Sequence, residues 1–333
     1  MAHPPLELSV TPERLRALQE AGVLTPAAHA RMLALSCETP SPRAWRRFLS
    51  ASLVGAGSLL LLAGVVFFFA YNWDALHRLA KLGLLLGAVA SAALAAWRLG
   101  ERPAGQYALL FAAVLVGPLL AVYGQAYQTG ADAWELFLGW GLLVLPWVAL
   151  ARFGPLWLFE LLVVNVGLSL YSTQVLGGRD AVFFELLLAL ALLNGLAWTL
   201  HEAGAQRGLA WLQGRWLPRV LCLMTLGPLL VLADTWIIAP EEARAPQWVG
   251  SPLLVLACGA AWAFHRRVRR ELFLLTAAAG CALVVLSTAA GRLFFDALDL
   301  ETLGLLLMGL LIVGELALTV TWLRAESHGA GEG

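Results

Sequence analysis

Long apolar runs separated by short polar breaks fill the chain from Leu49 almost to its end. Ten of these runs fall at 49–70, 79–97, 105–123, 133–150, 155–173, 181–200, 217–238, 249–265, 271–290 and 302–323. A bilayer's hydrocarbon core is about 30 Å thick and a helix rises about 1.5 Å per residue, so a spanning helix needs roughly 20 mostly apolar residues. Each run approaches or exceeds that length. Trp73, Trp97, Tyr123, Trp134, Pro155 and Trp248 stand at their edges, where amphipathic rings sit at headgroup level. The pattern predicts an all-α, polytopic integral membrane bundle of about ten transmembrane helices.

Residues 1–48 have a different pattern and read as a small helical hairpin. Thr11-Pro12 and Thr25-Pro26 each place an N-cap hydroxyl before a proline at the first helical position. Gly22 falls where the first helix should stop. Ala28, Met32 and Leu35 give the second helix one apolar face. The hairpin is either a docking or sensing module for a cytoplasmic protein partner or a capping element with no partner. The domain reading is therefore the hairpin at 1–48, a membrane domain at 49–323 and a disordered tail at 324–333.

Composition excludes a soluble reading: 60% of residues are hydrophobic and 13% charged, with a mean hydropathy of +0.77. The 22 basic and 22 acidic residues balance to zero net charge, so no basic footprint for nucleic acid is present. The basic residues also set the direction of threading, because loops on the cytoplasmic side carry the excess of Arg and Lys. With both termini inside, only Arg78, Lys81, Arg179, Arg244 and Arg292 fall outside, and the quartet Arg266, Arg267, Arg269, Arg270 anchors the inner face. The expected location is the bacterial inner membrane. No cleavable signal peptide is apparent. Cys37, Cys222, Cys258 and Cys281 show no metal or redox spacing and are expected as free thiols.

Ordered marks recur at an offset near 110 to 115 residues. Gly-Pro-Leu-Leu occurs at Gly117–Leu120 and again at Gly227–Leu230; Trp134 and Arg152 correspond to Trp248 and Arg266. Ser172-Thr173 corresponds to Ser287-Thr288, and Phe183-Phe184-Glu185 to Phe294-Phe295-Asp296. Two parallel four-helix units, 105–200 and 217–323, behind a leading pair at 49–97 would explain this, as in transporters built from parallel repeats. The rival explanation is chance matching in a Leu- and Ala-rich chain.

Ionisable groups at mid-membrane cost roughly 2.5–3.5 kcal/mol to insert and are functional candidates by default. Glu315 is the deepest acid, and Asn165 and Asn194 are also deep. Glu160 falls nearer the inner edge, and Glu185, Asp234 and Asp296 near the outer one. The candidate substrate or proton site is Glu315, Asn194, Glu185, Asp296 and Asp234. The alternative for Glu315, Asn165 and Asn194 is hydrogen bonding between helices. Gly83, Gly87, Ser91 and Ala95 recur every four residues in the second span and predict close helix packing.

The first hairpin carries Asn72-Trp73-Asp74 directly after a Gly/Leu-rich span, then a short amphipathic turn and a span led by Lys81. Tyr123-Gly-Gln-Ala-Tyr-Gln-Thr-Gly-Ala-Asp-Ala-Trp134 and Leu145-Pro-Trp-Val-Ala-Leu150 follow. Over about residues 1–150 this block resembles the bacterial predicted membrane protein family called domain of unknown function 2157. The resemblance implies a membrane protein and no established activity. Physically, Asn72 and Asp74 suit a helix cap with Trp73 in the headgroups. Alternatively, Asn72, Trp73 and Asp74 form an external hairpin site with Gln125, Tyr127 and Asp132.

Walker, His-Glu-x-x-His, nucleophile-elbow and dinucleotide motifs are all absent from the sequence. No metal site or cofactor is expected, and no catalytic constellation appears. The leading expectation is a carrier or binding protein for a small solute or lipid-like molecule. The alternative is a non-transporting scaffold or sensor in envelope assembly that acts through the N-terminal hairpin.

Overall fold

A computed structural model describes residues 12–35, 42–71, 76–177, 182–268, 271–298 and 300–329. Two units divide the chain, one up to residue 76 and the other from residue 77.

The first unit holds α1 (Pro12–Glu20), α2 (Pro26–Leu35) and α3 (Pro42–Tyr71). The hydroxyl of Thr25 accepts the Ala28 N–H at 3.2 Å, the N-cap bond that its place before Pro26 implies. Gly22 has φ +72° in the turn after α1, a conformation that glycine adopts without steric cost. The third helix begins at Pro42, not at Leu49 as its apolar run suggests. Proline is favoured at a first helical position, and no breaker separates it from the apolar run. The polar stretch Arg43–Arg47 is thus the helix's first turns, and the hairpin ends before it.

The second unit contains α4 (Arg78–Leu99), α5 (Pro103–Tyr127), α6 (Ala133–Leu150), α7 (Gly154–Gln174) and α8 (Phe183–Gln206). It continues through α9 (Trp216–Ile238), α10 (Ala245–Arg267), α11 (Leu272–Arg292) and α12 (Glu301–Gly329). Two 3-10 turns, Ala210–Leu212 and Pro240–Glu242, and a π-helical turn, Leu293–Ala297, lie in the connections. Among the described residues of the whole chain, ten helices are long and apolar enough to span a membrane. Large apolar side chains cover the outer surface; Leu305, Val313 and Leu318 of α12 are 67, 66 and 72% exposed. That inversion of a soluble protein's surface marks lipid as the solvent.

Several helices run past their apolar cores. α8 extends to Gln206, so His201 and Glu202 are helical. α12 extends to Gly329, so residues 324–329 of the tail expected to be disordered are helical, and 330–333 lie outside the described residues. Ala325 and Glu326 are good helix formers, and no proline intervenes.

α4 to α7 pack as a series, each on the next, while α8, α10 and α11 surround α9. Leu221, Cys222, Leu226, Leu229 and Leu232 of α9 form the middle of this core, with Ala191 and Trp198 of α8, Leu254 and Ala261 of α10, and Leu274 and Cys281 of α11. Close approach is built in at Gly250, where an added Cβ would sit 2.6 Å from Leu232 Cδ1. Cys222, Cys258 and Cys281 are free thiols.

The packing bears on two expectations. Gly83, Gly87 and Ser91 are exposed, and nothing lies within 4 Å of a Cβ built on either glycine. α4 buries Leu85, Val89 and Ala96 instead. Within the second unit α4 therefore packs through its Leu85, Val89 and Ala96 side, a ridge that buries more apolar area. Second, the two proposed repeats do not pack alike: α9 packs extensively on α11, while α5 and α7 make no comparable contact.

Candidate functional site

α7 and α8 are joined by a closed amide pair. Asn165 Nδ2 donates to Asn194 Oδ1 at 3.1 Å, and Asn194 Nδ2 donates to Asn165 Oδ1 at 2.8 Å. Each Nδ2 also donates to a carbonyl one turn back in its own helix, Leu161 and Leu190, at 2.7 and 2.8 Å. Both amide donors are used, and Asn194 is 1% exposed, so this is a cross-link between helices rather than a place for a ligand. α11 and α12 carry a related bond: Ser287 Oγ donates to Glu315 Oε2 at 2.8 Å. The two pairs span 29 and 28 residues and join the third and fourth helices of each expected repeat. A second local match is the helix start. The N–H of Asp132 donates to Glu135 Oε2 at 3.0 Å before α6, and that of Arg244 to Gln247 Oε1 at 2.7 Å before α10.

The other residues singled out in the sequence lie apart. Glu185 is exposed in the first turn of α8, where the helix dipole favours an acid. Asp296 is exposed in the π-helical turn. Asp234, half-buried near the end of α9, faces Thr288 of α11. Close by in sequence, Arg292 ties the end of α11 to α9, donating to the Ile237 carbonyl at 2.6 Å and pairing with Glu241 at 3.2 Å. Gln125 and Tyr127 are exposed at the end of α5, and Tyr127 packs on Tyr123 with centroids 4.8 Å apart. Asp132 is the N-cap residue of α6. Asn72, Trp73 and Asp74 lie outside the described residues. In their neighbourhood the N-cap of α4 is His77, whose Nδ1 accepts the Leu79 N–H at 3.3 Å.

The densest buried polarity is at the opposite end, where α8 and α10 finish and α7, α9 and α11 begin. Glu160, His201, Glu202, His265 and Glu271 are 8, 6, 9, 2 and 6% exposed. Glu271 receives two arginines: Arg219 Nη2 at 2.6 Å on Oε1 and Arg215 Nη1 at 3.3 Å on Oε2. Consecutive His201 and Glu202 line different cavities beside α8. One cavity, of about 420 Å³, lies between α7, α8, α9 and the turn at 210–212, and is lined by Glu160, His201, Trp157 and Trp211 among apolar side chains. The other, of about 570 Å³, contains Glu202, Gln206, Trp198 and His265. There the Trp198 and His265 rings stack with planes 6° apart. A third, of about 850 Å³, lies among α9 to α12 with Trp236, Trp248, Trp262 and Trp322 on its walls.

Glu160 differs from the other buried acids. Its Oε1 lies 3.1 Å from the position a Cβ on Gly141 would take, so α6 makes room for it with a glycine. Its Oε2 is buried with no hydrogen-bond partner. A polar atom in that condition is costly to hold inside a protein. From its position in the sequence Glu160 falls nearer the inner edge of its span, and that position alone does not mark its carboxyl as buried. The available signal was the flanking sequence: Trp157-Leu-Phe before Glu160 and Leu-Leu-Val after it, and an unbroken helix pattern through His201-Glu202. Among the described residues, no group of three or more His, Cys, Asp or Glu is arranged to hold a metal ion.

These features define a polytopic, all-α integral membrane protein with polar cross-links and cavities inside its bundle. Its residues 16–157, from α1 to the start of α7, match the family described as a predicted membrane protein, domain of unknown function 2157. Neither the curated proteins nor the solved structures provide a significant match. Glu160 and everything from α8 to α12 therefore lie beyond the family match.

Proposed function

We propose that the protein binds a small solute or lipid-like molecule within its bundle and carries it across the membrane. The observation that carries this reading is the pair of cavities beside α8, whose mostly apolar walls include the buried ionisable side chains Glu160, His201, Glu202 and His265. Their volumes fall within the roughly 300–1,000 Å³ common for small-molecule sites, and their apolar walls favour a lipid-like occupant. The recurring third-to-fourth-helix cross-links and the matched helix starts support two parallel repeat units around them, whose first and third helices pack differently. The arginine distribution supports an orientation with both termini in the cytoplasm and residence in the bacterial inner membrane. Reporter fusions at 130 and 243 should read outside and those at 100 and 208 inside; the reverse pattern would refute this orientation.

A photoactivatable alkyl probe in proteoliposomes tests the binding reading. It should label the α7 and α8 segments 157–164 and 193–201 well above the outward faces of α12. Uniform labelling around the bundle would contradict the reading. A second reading, a partner-binding scaffold, is favoured by Leu18, Val23 and Met32 of the hairpin, which are 43, 69 and 42% exposed. Loss of cellular function on deleting residues 1–41, with alkyl labelling intact, would support it over the carrier.

A further inference from the structure

We infer that the cavity between α7, α8 and α9 is the head-group site for an amphiphilic amine, a cationic nitrogen carrying N–H donors on an alkyl chain. The inference rests on the binding reading above and names its ligand class. Glu160 supplies the argument: its carboxyl is more than nine-tenths buried, lines this cavity, and has one oxygen without a protein donor. An ionised Glu160 only accepts hydrogen bonds, so the partner that completes it is a donor, and a charged donor makes the strongest such bond and holds the carboxyl ionised.

The rest of the lining narrows the chemistry. His201 is the only other ionisable residue on it, no arginine or lysine is present, and the remaining walls are Leu, Val, Ala and the two indoles of Trp157 and Trp211. Those indoles stack with centroids 6.0 Å apart, and Trp157 Nε1 is already engaged with the Ala151 carbonyl at 3.2 Å. An acidic head would meet Glu160 with like charge and find no arginine or lysine to offset it, only His201. An alcohol would supply one neutral donor. An ammonium supplies charge and donors together, its chain lies against the apolar walls, and the indole faces favour a nearby cation.

Two sources share this chemistry: a membrane lipid with an amino head and a free lipophilic amine. The test is competition against the alkyl photoprobe on the full chain in phosphatidylcholine bilayers, using dodecylamine, dodecanol and dodecanoate. Dodecylamine should displace the α7–α8 label at about tenfold lower concentration than the other two, the advantage of one charge-assisted bond. In Glu160→Gln that preference should vanish while dodecanol competes as in the wild type, which also shows that the cavity is still formed. Equal competition by all three compounds, or an amine preference that survives Glu160→Gln, overturns the inference and leaves the binding reading standing. Failure of the probe to enter the cavity at all overturns both. Adding phosphatidylethanolamine to the bilayer distinguishes the sources: weaker labelling assigns the site to the lipid head, unchanged labelling to the free amine.

Discussion

Valine at Gly117 should lower the unfolding temperature of the purified protein by several degrees, while valine at Gly227 should leave it nearly unchanged. Both glycines begin a Gly-Pro-Leu-Leu sequence. At Gly117 an added Cβ would lie 2.4 Å from two ring atoms of Trp140. That indole has nowhere to go. Its Nε1 donates to the Ala113 carbonyl at 2.8 Å, and its ring packs against Phe137 and Phe159 with centroids 5.5 Å away in each case. Forcing atoms into such a contact costs about 1–3 kcal/mol. Gly227 is exposed, and nothing lies within 4 Å of its built Cβ. Thermal unfolding in detergent checks the pair; equal shifts for the two variants would refute the packing of α5 on α6 described above.

Removing Arg215 and Arg219 together should destabilise the protein by about 2 kcal/mol. Breaking a buried pair by deleting one side costs about 3–5 kcal/mol, and solvent screening reduces this because the arginines are 61 and 43% exposed. The carboxylate of Glu271 stays behind, its side chain only 7% exposed. Arg219→Ala alone also loses the guanidinium's contact with Phe273, 5.5 Å from its ring centroid. Adding Glu271→Gln to the double arginine variant should recover part of the loss, since it removes the stranded charge. Denaturation of the single, double and triple variants measures this. A triple variant no more stable than the double would show that Glu271 does not need its arginines.

Span number and helix type were readable because a spanning helix is a length-and-composition signal, and each apolar run meets it. Helix ends were less readable. Hydropathy reports where the apolar surface stops, whereas a helix stops where its backbone is interrupted, so α3 starts early at Pro42 and α8 carries His201 and Glu202 inside. The contacting face was hardest to read. A helix that is apolar all round has no stripe to mark its neighbour, and so the glycine stripe at 83 and 87 did not reveal the side that α4 buries within the second unit. The same limit explains the unequal fates of Gly117 and Gly227. Asn165 and Asn194 were legible as deep polar groups, because an amide in lipid must find a partner, and their pairing follows from that need. Glu160 was not, because its significance depends on Gly141 and on the cavity formed by α7, α8 and α9, none of which leaves a local mark in the sequence.

A density map of the full chain in a lipid nanodisc tests the central claim most directly. The account predicts an elongated non-protein density between α7, α8 and α9, with its polar end within hydrogen-bond distance of Glu160 Oε2. A cavity filled by side chains alone, or Glu160 bonded to another protein group, would contradict it.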